Sequence, residues 1–476
     1  MDLWLLFLLV TSLLVVSFTH WVYRWRNPKC NGKLPPGSLG LPLIGETIQF
    51  LIPSKSIDMP PFIKKRKMKY GRLFKTNLVG RPVVVSLDPD FNYYVLQQEG
   101  KLVELWYMDS FGKLLNSDVT GTATGYIHKY LRNLVLNHFG PEALKANVIS
   151  QLEETIDRKL QVWSKLPEFE VKKNSASMIF DITARMMFGY ESEKSGENIG
   201  ESFTDFLQGI ISFPLDIPGT PYHNCKKNQK KALKLITDLL NERRDNPEIR
   251  KGDFLEQIVE EMKTHDFMTD EFCIFVMFGL LLASFETISA TLVLAIKYLS
   301  ENPSVVELLE EEHEAILKNR ENPDSGLTWN DYKSSMTYTH YVMKESLRLA
   351  SVAPGILRRV VQDIHVDGYV IPKGWTLMVV PSAIQMNPDT YEDPLTFNPS
   401  RWKNIGANTT AKNFIPFGGG ARTCAGAEFS KLLMGVFLHL LVTKYRWEKI
   451  RGGEVGRSPA LGFGKGFYIK LSAKQG

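Results

Sequence analysis

The sequence predicts a mainly α-helical protein with a small β portion, preceded by an apolar helix long enough to cross a membrane. Apolar residues recur at helical spacing through most of the chain, and alternating patterns typical of strands are confined to a few short segments. The chain has 476 residues, 44% of them hydrophobic, which is enough for a large core. Because no repeat, charge block or low-complexity tract follows the first fifty residues, one large domain is expected.

The amino terminus is an apolar run from Leu3 to Val22 without a charged residue. A helix needs about 20 residues to cross a bilayer. Arg24 and Arg26 follow among aromatic residues, which is typical of the cytosolic end of a membrane helix. No small-residue cleavage site follows, so residues 1–25 are interpreted as an uncleaved transmembrane signal anchor. We expect a single-pass protein of the endoplasmic reticulum membrane, with its catalytic domain in the cytosol.

The next segment, residues 26–50, is basic and proline-rich. Its stretch Leu34–Gly45 combines prolines, which fix the backbone, with glycines, which turn it. We interpret it as a stiff hinge that orients the remaining domain, residues 51–476, over the membrane.

Within that domain the strand pattern begins with a hairpin around Gly80, built from segments 73–78 and 82–87. Helical periodicity then dominates. The predicted helices are Tyr126–His138, Ala146–Leu166, Ala176–Phe188, Glu201–Ile211, Lys226–Arg244, Phe254–Thr264, Thr269–Leu299, Ser304–Lys318, Trp329–Ala350 and Ala425–Tyr445. Further strands are predicted at Ile364–Val366, Trp375–Val380 and Gly466–Leu471.

Charge and cysteine usage exclude some classes of protein. The net charge of +5 is mild and evenly spread, which argues against a nucleic-acid binder. The four cysteines, Cys30, Cys225, Cys273 and Cys424, are widely scattered. They form no disulfide framework, as expected of a reducing compartment.

The segment Pro416–Gly426 places Cys424 at the end of a glycine-rich loop that opens into an apolar helix. A thiolate is stabilised by backbone N–H groups and by a helix N-terminus. One thiol argues against zinc or an iron–sulfur cluster held by several cysteines. A single axial thiolate is typical of a haem that activates dioxygen. The alternative is a buried structural cysteine after a glycine turn.

The same segment resembles the haem-binding signature of the cytochrome P450 superfamily, Phe-x-x-Gly-x-Arg-x-Cys-x-Gly. The matching positions are Phe417, Gly420, Arg422, Cys424 and Gly426. The resemblance implies the cytochrome P450 fold over nearly the whole soluble chain, with haem b as cofactor. It further implies that Cys424 is the axial ligand of the haem iron and that the other four residues shape the cofactor site.

Glu286 and Thr287 lie inside an otherwise apolar helix, where burying polar groups costs free energy unless partners or water compensate. Together with Ala283 they resemble the family's oxygen-activating motif. The resemblance implies that Thr287 bonds the carbonyl four residues earlier or an incoming water. It also implies that Glu286 passes protons. Ser284 stands where the motif usually has glycine and would either narrow the groove or add a hydroxyl, so the motif does not define the local water path. A capping or solvent-facing Glu-Thr pair is the alternative.

Haem carboxylates need cations or hydrogen-bond donors. The candidates are Arg422, Arg358, His128 and Arg132. Many family members carry tryptophan at the position of His128, and histidine there resembles the sterol-oxidising branch. Surface or capping roles are the alternative for each of these residues.

Glu345 and Arg348 lie three residues apart on one helix face, where they can form an ion pair. Arg401 belongs to a segment that resembles the family's Phe-x-Pro-x-Arg motif. The resemblance implies that the three residues form a buried charge cluster with a structural role. An ordinary surface ion pair is the alternative.

The expected substrate pocket is apolar and aromatic, which indicates a large hydrophobic substrate. Its predicted walls are Trp106, Phe111, Leu282, Ala283, Val352, Ala353, Ile356, Leu461 and Phe463. A Pro/Gly-rich loop, Ser212–His223, can dip into the membrane and admit lipophilic molecules. With His128 and the cysteine segment, this loop resembles the plant branch that oxidises sterols, brassinosteroids and tetracyclic triterpenoids.

The resemblance therefore implies a haem-thiolate monooxygenase that hydroxylates a plant sterol or tetracyclic triterpenoid. It would use O2 and electrons from NADPH-cytochrome P450 reductase, and successive oxidations would extend the reaction to side-chain cleavage. One alternative is an isomerase or dehydratase acting on an oxygenated lipid, a type that lacks the acid–alcohol pair. The other is a non-enzymatic haem sensor or sterol carrier.

Overall fold

A computed structural model describes residues 3–121, 123–191, 209, 215–248, 250–320, 322 and 325–474. The fold is mainly α with a small β portion, as the sequence predicts. The predicted helix Glu201–Ile211, Gly209 apart, and the first three residues of the predicted loop Ser212–His223 lie outside the described residues.

The α-helices of the described residues alternate with short turns and strands along the chain. Their bounds are Leu3–Arg26, Thr47–Leu51, Pro61–Tyr70, Pro89–Leu96, Asp109–Leu114, Ser117–Thr120, Gly125–Phe139, Pro141–Ala143, Ile149–Trp163, Val171–Phe188, Pro221–Asp245, Phe254–Met262, Asp270–Glu301, Pro303–Lys318, Thr337–Ala350, Pro381–Gln385, Ala407–Asn413 and Ala427–Lys444.

The strands are short and lie at the edges of the helical body. They are β1 Leu73–Leu78, β2 Arg81–Ser86, β3 Val103–Leu105, β4 Phe169–Glu170, β5 Ile356–Val360, β6 Ile364–Val366, β7 Tyr369–Ile371, β8 Thr376–Val379, β9 Tyr445–Gly452, β10 Gly456–Arg457, β11 Leu461–Gly462 and β12 Phe467–Ala473.

The largest sheet joins strands from the amino-terminal and carboxyl-terminal halves of the chain in the order β1-β2-β8-β5-β3. β1 and β2 form the predicted antiparallel hairpin, and β2 runs parallel to β8 with Val83 opposite Thr376. β5 pairs with β3, so Arg358 lies opposite Leu105. This pairing brings a strand from the carboxyl-terminal half beside the turn that precedes β3. A second sheet has the order β4-β12-β9.

The long helix Asp270–Glu301 passes through the core. It begins where the hydroxyl of its N-cap Thr269 accepts the backbone N–H of Phe272, at 3.3 Å. It packs against Val171–Phe188 and Thr337–Ala350, and it also contacts Ala427–Lys444, the helix that follows Cys424. The long helix and the cysteine segment are therefore held by one hydrophobic core.

Several boundaries differ from the sequence prediction. The predicted helix 146–166 starts inside a π-helical turn, Leu144–Val148, and the predicted helix 329–350 is interrupted by another, Asp331–Ser335. The second ends at Met336, whose backbone (φ −84°, ψ 48°) leaves the helical region before the next helix begins. Helical periodicity continues through such turns, so it does not reveal them. Strands β3, β4, β5, β7, β9, β10 and β11 were not predicted either.

Two helices of the described residues are long and apolar enough to cross a membrane. In the helix Leu3–Arg26, nearly all residues from Trp4 onwards are exposed and none is fully buried, although Trp25 packs against the core near its carboxyl end. The long helix Asp270–Glu301 belongs to the core. The exposed amino-terminal helix suggests membrane anchoring.

Candidate active site

The segment Pro416–Gly426 forms a tight loop against the helix Pro89–Leu96. The backbone N–H of Cys424 donates to the carbonyl of Phe417, at 2.9 Å, and closes the loop. Gly420 has φ +66°, and a Cβ there would lie 2.0 Å from the Leu96 carbonyl oxygen. Only glycine fits this close approach, so the need for glycine at position 420 comes from packing of the loop on the protein itself.

The side chain of Cys424 is reached by solvent. Protein atoms nevertheless surround the thiol on most sides, and this burial raises its pKa, while the Gly426 backbone N–H and the charge of Arg132 act in the opposite direction. The helix Ala427–Lys444 starts three residues later and directs its N-terminus towards the loop. A thiol in this setting can act as a single soft ligand that remains accessible.

The long helix has an open face at Ala283 and Thr287, which are exposed although Leu282, Phe285 and Glu286 beside them are buried. The Thr287 hydroxyl donates to the Ala283 carbonyl, at 3.1 Å. This is the bond to the carbonyl four residues earlier that the sequence predicts. The helix therefore presents a small side chain and a hydroxyl to open space.

Ser284, the departure from the usual motif, donates to the Leu281 carbonyl, at 2.7 Å. Its hydroxyl is thus engaged by its own helix.

Glu286 lies on a different face of the helix from Thr287. Its carboxylate is buried and forms an ion pair with Lys172 on the helix Val171–Phe188. The structure therefore does not bring Glu286 and Thr287 to the same open face. Sequence reasoning missed Lys172, because a lysine in the first turn of an amphipathic helix carries no signal of a partner more than a hundred residues away.

Two of the predicted haem-binding arginines meet at one carboxylate. Arg422 Nε lies 2.9 Å and Arg358 Nε 3.3 Å from the two oxygens of Glu99. All three side chains are at least nine-tenths buried. Glu99 was not among the residues predicted from the sequence, since a single glutamate in a turn has no distinctive pattern.

Arg132 and His128 lie on the helix Gly125–Phe139 near the same loop. The guanidinium of Arg132 donates to the carbonyl of Thr423, next to Cys424. Burial and the charges of Arg422 and Arg132 lower the pKa of His128, so its imidazole is neutral at physiological pH. The structure thus gathers His128, Arg132, Arg358 and Arg422 around the cysteine loop.

Glu345, Arg348 and Arg401 form a buried cluster away from the open face. Glu345 pairs with Arg348 at 2.8 Å and with Arg401 at 3.0 Å. The indole of Trp402 donates to the same carboxylate, at 3.0 Å. Arg348 also donates to backbone carbonyls, including that of Pro394 at 2.7 Å, so the cluster ties a helix to the loop that follows Pro381–Gln385.

The predicted pocket residues fall into two groups. Leu282 and Phe463 are buried in the main core, where an apolar side chain needs no ligand. The others are partly or fully exposed: Trp106, Phe111, Ala283, Val352, Ala353, Ile356 and Leu461. Phe111 makes an edge contact with Tyr107, with ring centroids 4.7 Å apart. The exposed group offers apolar surface to a lipophilic molecule.

These observations test whether a haem fits. Haem requires an accessible axial ligand, a flat apolar wall and cations for its carboxylates. Cys424 supplies the first and the open face of the long helix supplies apolar surface. Glu99 Oε2 and Arg358 Nε face each other at 3.3 Å, and within the described residues neither buried atom forms a hydrogen bond, so the protein alone does not fully satisfy this cluster. The donor set fits a haem held by one thiolate.

Comparison with known proteins agrees with this class of site. A sequence profile described as Cytochrome P450 matches residues 35–466. The chain therefore belongs to the cytochrome P450 family. Its enzyme class is that of a cytochrome P450 monooxygenase, an oxidoreductase that uses haem and O2.

Similar proteins span nearly the full length of the chain. A beta-amyrin 16-alpha-hydroxylase of Maesa lanceolata is 45% identical over 99% of this chain and 99% of its own. A cucurbitadienol 11-hydroxylase of Siraitia grosvenorii is 47% identical over 99% of this chain and 100% of its own. A cholesterol 22-hydroxylase of Paris polyphylla is 34% identical over 98% of both.

Among solved structures, the retinoic acid-bound cyanobacterial CYP120A1 is similar to this chain with a TM-score of 0.82 and 26% identity. The match covers 94% of this chain and 100% of that protein.

Proposed function

We propose that this chain hydroxylates a triterpenoid or a plant sterol at the cytosolic face of the endoplasmic reticulum, with electrons from NADPH-cytochrome P450 reductase. The observation that carries the proposal is the identity of 45% and 47%, over 99% of the chain, to enzymes named for hydroxylating beta-amyrin and cucurbitadienol. The partly exposed apolar residues of the predicted pocket support a lipophilic substrate.

In this proposal the cysteine loop holds the cofactor. Cys424 would hold the haem iron, and the haem, when bound, would supply the activation of dioxygen. Arg358 and Arg422 would hold the haem carboxylates, with Arg132 and His128 beside them. Because the imidazole of His128 is neutral, it contributes a hydrogen-bond donor without adding charge.

Thr287 handles protons at the open face. Its hydroxyl can exchange the Ala283 carbonyl for a water molecule and hold that water next to the cofactor. Glu286 is a less direct proton donor, since its carboxylate must first leave Lys172.

The amino-terminal segments place the domain on the membrane. Residues 1–25 act as the anchor, 26–50 as the hinge and 51–476 as the catalytic domain. The described part of the loop 212–223 supports lipid contact, because Leu215 and Ile217 are exposed there. A substrate dissolved in the membrane can then reach the pocket without crossing water.

The proposal is tested by co-expressing the chain with a cytochrome P450 reductase and supplying beta-amyrin, cucurbitadienol and cholesterol to microsomes. A product 16 mass units heavier that depends on NADPH is expected, because one oxygen atom is inserted. Thr287→Ala should consume NADPH with little product, and Ser284→Ala serves as the matched hydroxyl control. Absence of oxidised product from any sterol or triterpenoid supplied would reject the proposed substrate class.

The same assay separates the alternatives. An isomerase or dehydratase would turn over an oxygenated lipid without NADPH, and the presence of Glu286 and Thr287 argues against this type. A haem sensor or sterol carrier would bind sterol, detected as a shift of the haem absorption band, yet form no product.

A further inference from the structure

The carboxylate of Glu99 joins two elements that the chain order keeps far apart. Arg422 comes from the cysteine loop, and Arg358 comes from β5. Their Nε atoms lie 2.9 Å and 3.3 Å from Glu99 Oε1 and Oε2, respectively. The side chains of Arg358, Arg422 and Glu99 are 4%, 9% and 10% exposed, so solvent screens these charges poorly.

Glu99 is fixed independently of the arginines. Its Oε1 accepts the backbone N–H of Leu105, at 3.0 Å. Its backbone forms an isolated bridge with Val103 at the start of β3. Because β3 pairs with β5, with Leu105 opposite Arg358, the sheet sets the position of the carboxylate relative to the arginine. The backbone therefore holds the Glu99 carboxylate in place, and both guanidiniums pair with it.

The arginines retain hydrogen-bonding capacity. Each guanidinium has five N–H donors. Within the described part of the chain, Arg422 donates through Nε to Glu99 and through Nη2 to the Ala123 carbonyl, at 3.2 Å. Arg358 donates through Nη1 to the Leu357 carbonyl, at 2.9 Å. The remaining donors are available to an anionic ligand.

The charges of the cluster also match a dianion. Arg132, Arg358 and Arg422 are three cations, and Glu99 is one anion. His128 adds no charge, since burial and the neighbouring arginines lower its pKa. The two carboxylates of a haem would balance the remaining charge. Without Glu99 the same cluster would keep an uncompensated buried cation.

We propose that Glu99 is a positioning residue, which orients Arg358 and Arg422 so that their free N–H groups hold the two haem carboxylates. This inference rests on the proposed role of the two arginines. A competing role is that Glu99 occupies the place of a haem carboxylate and is displaced when haem binds. The bond to the Leu105 backbone favours the positioning role, because it holds the carboxylate in its turn.

The test is the rate of haem loss from Glu99→Gln in the purified full-length holoenzyme. Glutamine keeps an acceptor for the Leu105 N–H and removes the charge. Transfer of haem to excess apomyoglobin is followed by absorption. A loss about tenfold faster than in the wild type is expected, because Arg422 loses a charge-assisted hydrogen bond and Arg358 loses its ion pair. The haem reduction potential should also shift to a more positive value, since a nearby anion is lost.

The matched control is Glu104→Gln, five residues along the chain. Glu104 pairs with Arg359 at 3.8 Å across the same two strands, with side chains 39% and 57% exposed. Its haem loss should equal that of the wild type. A rate for Glu99→Gln within twofold of the wild type overturns the proposal, and slower loss would show the competing role. If Glu99→Gln yields no folded holoenzyme, haem loss is measured in Glu99→Asp, whose side chain is shorter. A rate of haem loss in Glu99→Asp equal to that of the wild type overturns the proposal.

A further variant separates this inference from the role on which it rests. Arg358→Gln should lose haem at least as fast as Glu99→Gln. If Arg358→Gln retains haem like the wild type, the arginine does not hold a haem carboxylate, and both statements fall. If Arg358→Gln loses haem faster than the wild type and Glu99→Gln does not, Arg358 still holds a haem carboxylate. In that case only the positioning role of Glu99 is rejected.

Discussion

Glu345 and Glu99 each bridge two buried arginines, yet their surroundings differ. The Glu345 carboxylate is saturated: Arg348, Arg401 and the Trp402 indole all donate to it, at 2.8–3.0 Å. At Glu99, the described residues leave Oε2 and the facing Arg358 Nε without a hydrogen bond. The comparison teaches that a completed charge network stabilises the fold, whereas a buried network with unsatisfied atoms and spare donors is able to accept a ligand.

The largest effect is expected from breaking the saturated cluster. Glu345→Ala leaves two buried guanidiniums without their carboxylate and should lower the free energy of unfolding by roughly 3–5 kcal/mol. Chemical denaturation of the detergent-solubilised protein, followed by circular dichroism, measures the change. Glu307→Ala, at an exposed position of the helix Pro303–Lys318, is the control. A stability of Glu345→Ala equal to that of this control would contradict the structural role of the cluster.

The incomplete cluster should respond differently. Arg422→Gln removes one cation from the haem site but leaves Arg358 paired with Glu99. We expect haem content to fall, because a carboxylate of the haem loses its arginine partner. Helix content should stay near that of the wild type. The ratio of haem absorption to protein absorption measures the first, and far-ultraviolet circular dichroism the second. If helix content falls in proportion to haem content, the Glu99 cluster stabilises the fold as the Glu345 cluster does, and the proposed difference between the two clusters is wrong.

A third buried network extends the comparison to neutral groups. His439 Nδ1 and His313 Nδ1 lie 2.9 Å apart in the core, and His313 Nε2 lies 2.9 Å from the Thr339 hydroxyl. Burial lowers the pKa of both imidazoles to about 3. The charge of Arg320 lowers the pKa of His439 further, and the neighbouring His439 lowers that of His313.

This pair predicts loss of stability in acid. The unfolded chain binds protons near the ordinary histidine pKa of about 6.5, whereas the folded chain does not until the pKa of about 3. The contribution of the two neutral imidazoles to the free energy of unfolding is therefore complete above about pH 6.5, and it declines as the pH falls towards 3. Melting temperatures between pH 7.5 and 5.5 should therefore decrease less steeply in His439→Gln than in the wild type. His365→Gln, at an exposed strand position, should keep the wild-type slope; an unchanged slope in His439→Gln would contradict the prediction.

The smallest effect is expected at the exposed pair of Arg359 and Glu104, 3.8 Å apart. Exposed ion pairs contribute roughly 0–1 kcal/mol. Glu104→Ala should leave the melting temperature and the haem content within experimental error of the wild type. A clear loss of stability in Glu104→Ala would show that the exposure of an ion pair does not determine how much it contributes to stability.

The sequence predicted the elements whose signal is local. Hydrophobic periodicity located the long helix within a few residues, and the spacing of Glu345 and Arg348 indicated their pairing on one helix face. The cysteine segment was identified from its residue types alone.

The rest depends on contacts that no local pattern records. Glu99 meets Arg422 more than 320 positions along the chain, because β3 pairs with β5 and the cysteine loop packs on Leu96. Lys172 reaches Glu286 only because two helices pack together. The π-helical turn at Asp331–Ser335 keeps the apolar spacing of a continuous helix while changing its hydrogen bonding.

The parallel pairing of β2 with β8 has a consequence for biosynthesis. Val83 leaves the ribosome about 290 residues before its partner Thr376, a delay on the order of 15–60 s at ordinary rates of translation. During that time the hairpin β1–β2 has an unpaired edge, and such edges promote association between chains. If residues 1–25 are already in the bilayer, nascent chains are tethered at a surface while this edge is open. Yield in cells should then depend on translation rate and on chaperones at the membrane, well before any haem is bound.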